Sequence, residues 1–260
     1  MNIVGSIVNG YLFEEALGSG SFGDVYKVSK NGIIYAAKIL AETYILEEFK
    51  NEDNRITREI DVLKKVQGEN LIRYQEDFFF KNEFGITQYV IVMEYFEGAT
   101  LRNLLKQDTS LDFLVEIFVK VLEGVRQLHS TIITDEGIIH RDLKPDNIMI
   151  NDTGNVKIID YGLSKIIDFS SITSTGTQIG SPLYMSPEAW RYETNTILMD
   201  IYSIGIIFYE LLTGVYPFNY DSSDPDSLKQ AHLYTNIEPI SNNFPDIPLN
   251  LSQLVVKMTK

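Results

Sequence analysis

The spacing of hydrophobic and polar positions divides the chain into a strand-rich first third and a helix-rich remainder. Short runs of β-branched and aromatic residues, separated by turn signals such as Asn31-Gly32, are typical of strands. They predict strands at Tyr11–Leu17, Val25–Ser29, Ile33–Leu40, Tyr74–Lys81 and Gln88–Tyr95. Among them, Phe49–Val66 repeats apolar residues at helical spacing and predicts one helix.

After Gly98 the period of the pattern becomes helical. Leu111–His129 predicts a long amphipathic helix, and Ile197–Leu212 is apolar almost throughout, which predicts a buried helix. Short strands are predicted at Ile148–Ile150 and Val156–Ile158, and a last helix at Leu251–Lys260. The fold class is therefore α+β, with a small β-rich part and a larger α-rich part that divide near Glu94–Gly98.

Composition narrows the classes of function. The 260 residues carry 22 Lys and Arg against 36 Asp and Glu, a net charge of −14, which argues against nucleic acid or an acidic membrane surface as partner. A basic peptide partner is compatible with this charge. The chain has no cysteine, so disulfides, thiolate catalysis and cysteine metal sites are excluded. Met1–Gly10 has no signal-peptide pattern, which predicts a cytoplasmic protein.

A glycine-rich segment follows the first strand. Gly18, Gly20, Gly23 and Val25 have G-x-G-x-x-G-x-V spacing, with Ser19, Ser21 and Phe22 between the glycines. Glycines at this spacing also occur in dinucleotide sites and in plain turns. Here a strand follows rather than a helix, which favours a β-hairpin whose backbone N–H groups can approach phosphate oxygens.

Lys38 lies within an apolar strand, where an ammonium group needs a partner or a ligand. Taken alone, it is more simply explained as an edge-strand lysine whose head group reaches solvent. Glu59 lies on the same predicted helix face as Ile56 and Leu63, which makes it the expected partner. Glu52 and Asp53 are alternative partners, but they lie in a more polar segment.

The stretch His140 to Asn147 (HRDLKPDN) is the strongest chemical signal in the chain. It places an acid, Asp142, a cation, Lys144, and an amide, Asn147, at short fixed offsets before an apolar strand. Asp142 could accept a proton, Lys144 could neutralise a transferring phosphoryl group, and Asn147 could bind a hard cation. Asp160, followed by Tyr161 and Gly162, comes after the next predicted strand and could complete an oxygen-rich magnesium site.

Together these motifs resemble the catalytic domain of eukaryotic-type (Hanks-type) serine/threonine protein kinases. The resemblance extends from Tyr11 to Lys260 and implies a two-lobed fold that binds ATP at the hinge. It implies an N-lobe over 11–93, a hinge over 94–100 and a C-lobe over 101–260, with 1–10 as an extension. The implied activity is Mg²⁺-dependent transfer of the γ-phosphoryl group of ATP to Ser/Thr hydroxyl groups of protein substrates.

The resemblance also implies roles for individual residues. Lys38, paired with Glu59, would hold the α- and β-phosphates. Asp142 would orient the substrate hydroxyl, and Asn147 and Asp160 would bind magnesium. The ATP-binding residues would be Gly18, Ser19, Gly20, Ser21, Phe22, Gly23, Val25, Ala36, Lys38, Met93, Glu94, Phe96 and Met149. A stack linking the lobes would comprise Leu63, Tyr74, His140 and Tyr161, and Asp200 would hold the catalytic loop.

Lys144, two residues after Asp142, and Ser181, before Pro182, follow the pattern of serine/threonine rather than tyrosine kinases. Two positions depart from the family: Tyr161 replaces the usual Phe, and Ser186 replaces the usual Ala. Thr131–Gly137 is an insertion before the catalytic loop, and its role is not readable from the sequence.

Two expectations concern regulation and specificity. Arg141 matches arginines that bind a phosphorylated loop residue, with Thr177 the first candidate, followed by Thr173, Ser174 and Thr175. Asp146 and Glu210 match positions that face the peptide groove in kinases selecting basic substrates. They predict a modest preference for Arg or Lys on the N-terminal side of the acceptor. Thr100, where such kinases often have another acid, weakens that expectation.

Two alternatives and one structural expectation remain. A pseudokinase scaffold would bind nucleotide and partners without turnover, although Lys38, Asp142 and Asp160 are all present. A small-molecule kinase would lack the segment from Gly180 to Glu188.

In the family, the glutamate matching Glu188 pairs with an arginine in the last helices. Tyr192–Lys260 contains no arginine. The sequence therefore predicts a C-lobe truncated at its end.

Overall fold

The computed structural model describes residues 3–20, 23–40, 60, 63–105, 109–134, 136–161, 182–193 and 196–260. The chain forms two compact units. The first comprises Met1–Gln67 and Ile72–Glu97, and the second comprises Gly68–Leu71 and Gly98–Lys260. The predicted α+β class is confirmed.

The first unit is built on a six-stranded antiparallel sheet with the order β1-β2-β3-β4-β6-β5. Its strands are β1 (Ile7–Val8), β2 (Tyr11–Gly20), β3 (Gly23–Lys30), β4 (Ile33–Leu40), β5 (Tyr74–Lys81) and β6 (Thr87–Glu94). All five predicted strands are confirmed, and β1 is an addition. β2 ends later and β3 begins earlier than predicted, because the two strands stay paired as far as Gly20 and Gly23.

One face of this sheet carries the core of the first unit. Because strand side chains alternate between faces, Tyr11 and Phe13 of β2 point to the same side and are both buried. They pack with Val28 of β3 and Val90 of β6. In β4, Ala37 and Ile39 join this core, so Lys38 between them points to the opposite face. Of the predicted helix Phe49–Val66, residues 60 and 63–66 are described; residues 60 and 63–65 are helical, and Val66 is not.

The second unit is mainly helical. Its helices are α1 (Leu101–Leu104), α2 (Leu111–Ser130), α3 (Pro187–Trp190), α4 (Leu198–Thr213), α5 (Pro225–Tyr234) and α6 (Leu249–Met258). Short 3-10 turns lie at Pro145–Asn147, Pro182–Tyr184 and Ile240–Asn242. The predicted long, buried and final helices are confirmed to within two residues at each end.

Helix α4 forms the centre of this unit. It buries residues on all sides, including Tyr202, Ile204 and Phe208, and ends at Gly214, whose φ of 71° is left-handed. A Cβ atom on Gly205 would lie 2.6 Å from the Thr259 side chain, just after α6. Glycine at this position therefore permits the close packing of α4 against the C-terminal segment.

Small sheets complete the second unit. β7 (Ala99–Thr100), β10 (Ile148–Ile150) and β11 (Val156–Ile158) form a sheet of order β11-β10-β7. The last two strands have the predicted bounds. The segment predicted to be an insertion, Thr131–Gly137, contains the hairpin of β8 (Ile132–Thr134) and β9 (Glu136–Gly137). Over the described part of the chain, no helix has the length and apolar character needed to cross a membrane.

Candidate active site

The glycine-rich hairpin has one position where only glycine fits. Gly23 has a φ of +133°, and a Cβ there would lie 1.9 Å from the carbonyl oxygen of Ile39. By contrast, a Cβ on Gly18 would meet nothing within 4 Å. The packing of β3 against β4 therefore explains why residue 23 is glycine. Packing does not explain the glycine at residue 18, which lies beside open space. Ser21 and Phe22 lie outside the described residues.

Lys38 is 3% exposed, in the part of β4 that pairs with β3 and β6. It lies opposite Val25 on one side and Ile91 on the other. Ala36 lies two residues earlier on the same face, opposite Met93. The sheet thus brings Lys38, Val25, Ala36 and Met93 together on the face away from the core. The predicted partner of Lys38, Glu59, lies outside the described residues.

The segment after β6 has one constrained amide. The backbone N–H of Glu94 donates to the carbonyl oxygen of Arg73 at 2.8 Å. Because this donor is engaged, Glu94 can offer a nucleotide base only its carbonyl oxygen. Phe96, two residues on, is half-buried and is not in a strand. The contacts of Glu94 and Phe96 to a nucleotide base stay predictions.

One buried carboxylate, that of Asp200, holds the loop that contains Asp142. Asp200, in the first turn of α4, is 1% exposed. Its Oδ2 accepts from the backbone N–H of His140 at 2.8 Å, and its Oδ1 accepts from that of Arg141 at 2.9 Å. His129 Nε2 lies 2.8 Å from the same Oδ2. Two adjacent amides on one acid fix the loop immediately before Asp142.

Asp142, Lys144 and Asn147 form one hydrogen-bonded group. The Lys144 Nζ lies 2.8 Å from Asp142 Oδ2. The Asn147 amide nitrogen donates to the Asp142 carbonyl oxygen at 2.8 Å and to its Oδ2 at 3.2 Å. The sequence brings the three together because they belong to one short loop ending in the 3-10 turn Pro145–Asn147. The group combines an oriented carboxylate with an adjacent cation.

Asp160 follows β11 beside this loop. The backbone N–H of Ile159 donates to the carbonyl oxygen of Asn147 at 3.0 Å, so Asp160 is one residue from a direct contact with Asn147. Asp160 has a positive φ of 60°, an uncommon conformation for a non-glycine residue. His140 Nε2 lies 2.9 Å from the Ile159 carbonyl oxygen, so Ile159 contacts the loop through both His140 and Asn147.

The donor set near Asp142 fits a hard cation. Because the Asn147 amide nitrogen is used as a donor to Asp142, its amide oxygen is the atom it can offer a metal. Magnesium prefers oxygen ligands and usually takes only one or two protein ligands beside water and phosphates. Within the described ranges no three His, Asp or Glu side chains form a metal cluster.

The two departures from the family have different outcomes. Tyr161 is 1% exposed, so its ring occupies a buried position. The Ser186 hydroxyl accepts the backbone N–H of Ala189 at 3.3 Å and caps α3. Ser186 thus has a local structural role. The β8–β9 hairpin lies against the end of α2, since a Cβ on Gly137 would lie 1.9 Å from the His129 carbonyl oxygen.

Sequence reasoning missed Arg102, which lies on α1 between two carboxylates. Its Nη2 is 3.0 Å from Asp146 Oδ2, and its Nη1 is 3.7 Å from Glu210 Oε1. Burial lowers the pKa of the Arg102 guanidinium, but Asp146 and Tyr184 outweigh that effect and raise it above the ordinary value. Asp146 and Glu210, the positions expected to face a basic substrate, therefore both face an arginine of the same chain.

Glu188 lies in α3 and is half-buried. Among the described residues, no Lys, Arg or His comes within ion-pair distance of its carboxylate. Several other predicted positions lie outside the described residues: Glu59, Gly162, Thr173, Ser174, Thr175, Thr177 and Ser181.

Comparison with known proteins identifies the family. A model of the protein kinase domain matches residues 11–260. The chain therefore belongs to the protein kinase family, whose members use ATP as phosphoryl donor and act on proteins. The predicted resemblance to eukaryotic-type serine/threonine protein kinases is confirmed, as are the predicted enzyme class and the kinase fold.

Three bacterial relatives illustrate the similarity. The chain is 35% identical over 254 residues to the probable serine/threonine-protein kinase PknB of Lactococcus lactis, covering 96% of this chain and 38% of that protein. It is 33% identical over 268 residues to a probable serine/threonine-protein kinase of Clostridium perfringens, covering 98% and 36%. It is 38% identical over 170 residues to PknB of Mycobacterium leprae, covering 64% and 26%. The chain thus spans well under half the length of these relatives.

Proposed function

We propose that this protein transfers the γ-phosphoryl group of ATP to serine and threonine hydroxyl groups of protein substrates. The observation that carries the proposal is the group formed by Asp142, Lys144 and Asn147, in which a carboxylate has a cation at 2.8 Å and an amide that fixes its direction. The names of the bacterial relatives support serine/threonine specificity, as does the presence of Lys144 two residues after Asp142.

Phosphoryl transfer through a loose transition state needs positioning and charge stabilisation more than covalent chemistry. In this proposal Asp142 orients the acceptor hydroxyl and takes its proton late in the reaction. Lys144, already beside that carboxylate, shares its positive charge with the transferring phosphoryl oxygens. Asp200 maintains this geometry, because it holds the two amides that precede Asp142.

The nucleotide contacts are proposed from the first unit and from the family. Gly18, Gly20 and Gly23 would bring backbone N–H groups to the phosphates. Lys38, paired with Glu59, would hold the α- and β-phosphates. Contacts to the base would come from the Glu94 carbonyl oxygen and the Phe96 amide, with apolar contacts from Val25, Ala36, Met93 and Met149.

Magnesium dependence is part of the proposal. Asn147, through its amide oxygen, and Asp160, through its carboxylate, would hold the cation. When bound, magnesium supplies charge neutralisation on the phosphate oxygens. This role is supported by the positions of the two residues, which flank the same end of the β10–β11 hairpin.

We also propose regulation by phosphorylation between Gly162 and Gly180. Thr177, with Thr173, Ser174 and Thr175 as alternatives, would receive a phosphate that binds the Arg141 guanidinium. The backbone of Arg141 is anchored by Asp200, so a phosphate bound there would be tied to the catalytic loop. Peptide mapping after incubation with ATP tests this, and full activity without phosphate at residues 173–177 would refute it.

The transfer itself is tested with radiolabelled ATP, magnesium and a generic basic protein. Asp142→Asn removes the base and is expected to lower turnover at least about 100-fold. The matched control is Asp152→Asn, because Asp152 is an exposed acid in the turn between β10 and β11. Equal activity of Asp142→Asn and wild type would refute the assigned mechanism. ATP binding by wild type with no transfer to any protein would favour the scaffold alternative.

Lys38 has a separate test. Lys38→Met keeps an unbranched side chain in the buried position but removes the charge that would hold the phosphates. Transfer is expected to fall to background while the melting temperature stays close to that of wild type. Near-normal turnover of Lys38→Met would mean that this strand does not bind the triphosphate.

A further inference from the structure

Arg102 occupies a site built by carboxylates from two separate elements. Its Nη2 and Nε lie 3.0 Å and 3.3 Å from Asp146 Oδ2, in the catalytic loop. Its Nη1 lies 3.7 Å from Glu210 Oε1, in the last turns of α4. The Arg102 and Glu210 side chains are 28% and 18% exposed, whereas that of Asp146 is 47% exposed. The pair is therefore partly buried but open on the side of Asp146.

Tyr184 completes the surroundings of the guanidinium. Its ring centroid lies 5.7 Å from the Arg102 Cζ, within the range of a cation–π interaction. Its hydroxyl donates to Glu210 Oε2 at 2.5 Å. Burial and the hydrogen bond to Glu210 raise the pKa of this hydroxyl, so it remains a donor. Two carboxylates and an aromatic face therefore form a binding site for a guanidinium group, and the chain supplies its own.

This site adjoins the proposed point of transfer. Asp146 follows Asp142 by four residues and directly precedes Asn147, whose amide contacts Asp142. Tyr184 lies in the 3-10 turn just before α3. A polypeptide that presents a hydroxyl to Asp142 must have neighbouring residues close to this loop. The charge at Asp146 and Glu210 is thus placed to affect which neighbours are accepted.

We propose that Arg102 is a specificity-determining residue, a built-in occupant of the acidic pair Asp146 and Glu210 that prevents selection of arginine or lysine in the substrate at this point. The inference rests on the proposed kinase function. A substrate cation would have to displace a tethered guanidinium, whose attachment to the same chain gives it a high effective concentration. Without Arg102, two carboxylates near Tyr184 would remain, and planar, bidentate recognition would favour an incoming arginine.

The first test is substrate selection. Wild type, Arg102→Ala and Arg126→Ala are compared on peptides that differ only by Arg or Ala at each of the positions flanking the acceptor. Arg126 is the matched control, because it pairs with Glu123 on exposed α2 surface. Wild type and Arg126→Ala are expected to prefer neither residue by more than about twofold. Arg102→Ala is expected to gain at least about fivefold in kcat/KM for Arg at one position, given the strength of partly exposed charged hydrogen bonds.

The second test does not depend on catalysis. Ethylguanidinium chloride is titrated into each protein while the melting temperature is followed, with equal concentrations of sodium chloride as reference. A rise confined to Arg102→Ala is expected, because only that variant has a vacated guanidinium site. Arg102→Met, which retains a long unbranched stem, replaces Arg102→Ala if the alanine variant does not fold.

The outcomes distinguish a failure of the proposed role of Arg102 from a failure of the proposed kinase function. Transfer by wild type, together with no arginine selection and no ethylguanidinium effect in the Arg102 variants, would overturn the role of Arg102. Strong arginine selection by wild type that is lost in Arg102→Ala would also overturn it. An ethylguanidinium effect in the variant without any phosphoryl transfer by wild type would support the guanidinium site and refute the kinase function instead.

Discussion

The His129 Nε2 and the Asp200 Oδ2 lie 2.8 Å apart, joining the last turn of α2 to the first turn of α4. A carboxylate only accepts hydrogen bonds, so His129 carries its proton on Nε2. With the amides of His140 and Arg141, this gives one buried carboxylate three donors. Asp200 thereby connects two helices of the second unit to the loop that carries Asp142.

Asp200→Asn is expected to lower both stability and activity. An amide presents a donor where the carboxylate had an acceptor, so at least one N–H at this site loses its partner. We expect a loss of about 1–3 kcal/mol in the free energy of unfolding, the cost of a buried unsatisfied group. Urea denaturation and hydrogen exchange of the His140 and Arg141 amides measure this.

The control for Asp200→Asn is Asp152→Asn, the same chemical change at an exposed acid, which should stay within about 0.5 kcal/mol of wild type. If both variants were equally stable and their amides equally protected, the carboxylate of Asp200 would not be what anchors the loop. If Asp200→Asn were stable but inactive, the anchor would matter for geometry alone.

His232 is a buried imidazole between two tyrosines. Its Nδ1 lies 2.8 Å from the Tyr202 hydroxyl and its Nε2 lies 2.9 Å from that of Tyr216. Because the Tyr216 hydroxyl donates to the Leu183 carbonyl oxygen at 2.6 Å, His232 must donate from Nε2 and accept at Nδ1. Both nitrogens are satisfied by the neutral ring. Burial lowers the pKa of His232 from 6.5 to about 4.

This pKa makes the stability of the second unit depend on pH. The folded pKa lies below the unfolded one, so the unfolded chain binds a proton first as the pH falls. The stabilisation is complete above pH 6.5 and is lost as the pH falls toward about 4. A shift of this size corresponds to about 3 kcal/mol. Unfolding free energies measured between pH 7.5 and 4.5 are expected to decline over this range.

His232→Gln isolates that contribution, because glutamine can accept and donate hydrogen bonds but does not titrate in this range. The decline between pH 6.5 and 4.5 is expected to be shallower in the variant, even if the variant is less stable throughout. Parallel curves for the two proteins would show that other groups cause the acid sensitivity.

Much of the fold and the catalytic loop could be predicted because the relevant residues are close in sequence. The strands Ile148–Ile150 and Val156–Ile158 were predicted with correct bounds, since a turn of Asn, Asp, Thr and Gly separates two apolar runs. Asp142, Lys144 and Asn147 belong to one loop, so their spacing alone indicated a shared site. Strand β1 was missed because two residues between glycines show no period.

The relationships that were missed depend on tertiary packing. Arg102 follows a two-residue strand and appears in the sequence as an ordinary polar residue of a short helix. Its partners Asp146 and Glu210 come from a loop and a helix much further along the chain, so no local pattern connects them. His129 was likewise predicted only as the end of an amphipathic helix, and its contact with Asp200 follows from how α2 and α4 pack.

Ser186→Ala restores the residue that the family usually has and is expected to destabilise this protein. Ser186 is 2% exposed, and its hydroxyl accepts the Ala189 amide at the start of α3. Loss of a serine cap costs about 0.5–2 kcal/mol. Urea denaturation measures the loss. Ser110→Ala, which removes the more exposed cap of α2, is the matched comparison. A more stable Ser186→Ala variant would show that the cap is not a net gain.

Gly23→Ala and Gly18→Ala are expected to differ sharply, although the two glycines belong to one motif. A Cβ on Gly23 would overlap the Ile39 carbonyl oxygen, and the φ of +133° is a conformation that alanine rarely adopts. We expect Gly23→Ala to lose about 1–3 kcal/mol of stability through backbone strain and displacement of β4. Gly18→Ala meets open space, so its melting temperature should remain near that of wild type.

The kinetic readout separates packing from nucleotide binding at the same two positions. If the hairpin backbone approaches phosphates, Gly18→Ala raises the KM for ATP without a loss of stability, because the added methyl group occupies space that the nucleotide needs. Gly23→Ala raises the same KM together with a lower melting temperature, because Lys38 lies on the strand that must move. Unchanged stability of Gly23→Ala would contradict the close packing of Gly23 in β3 against Ile39 in β4. An unchanged KM in Gly18→Ala would show that the space beside Gly18 is not needed for ATP.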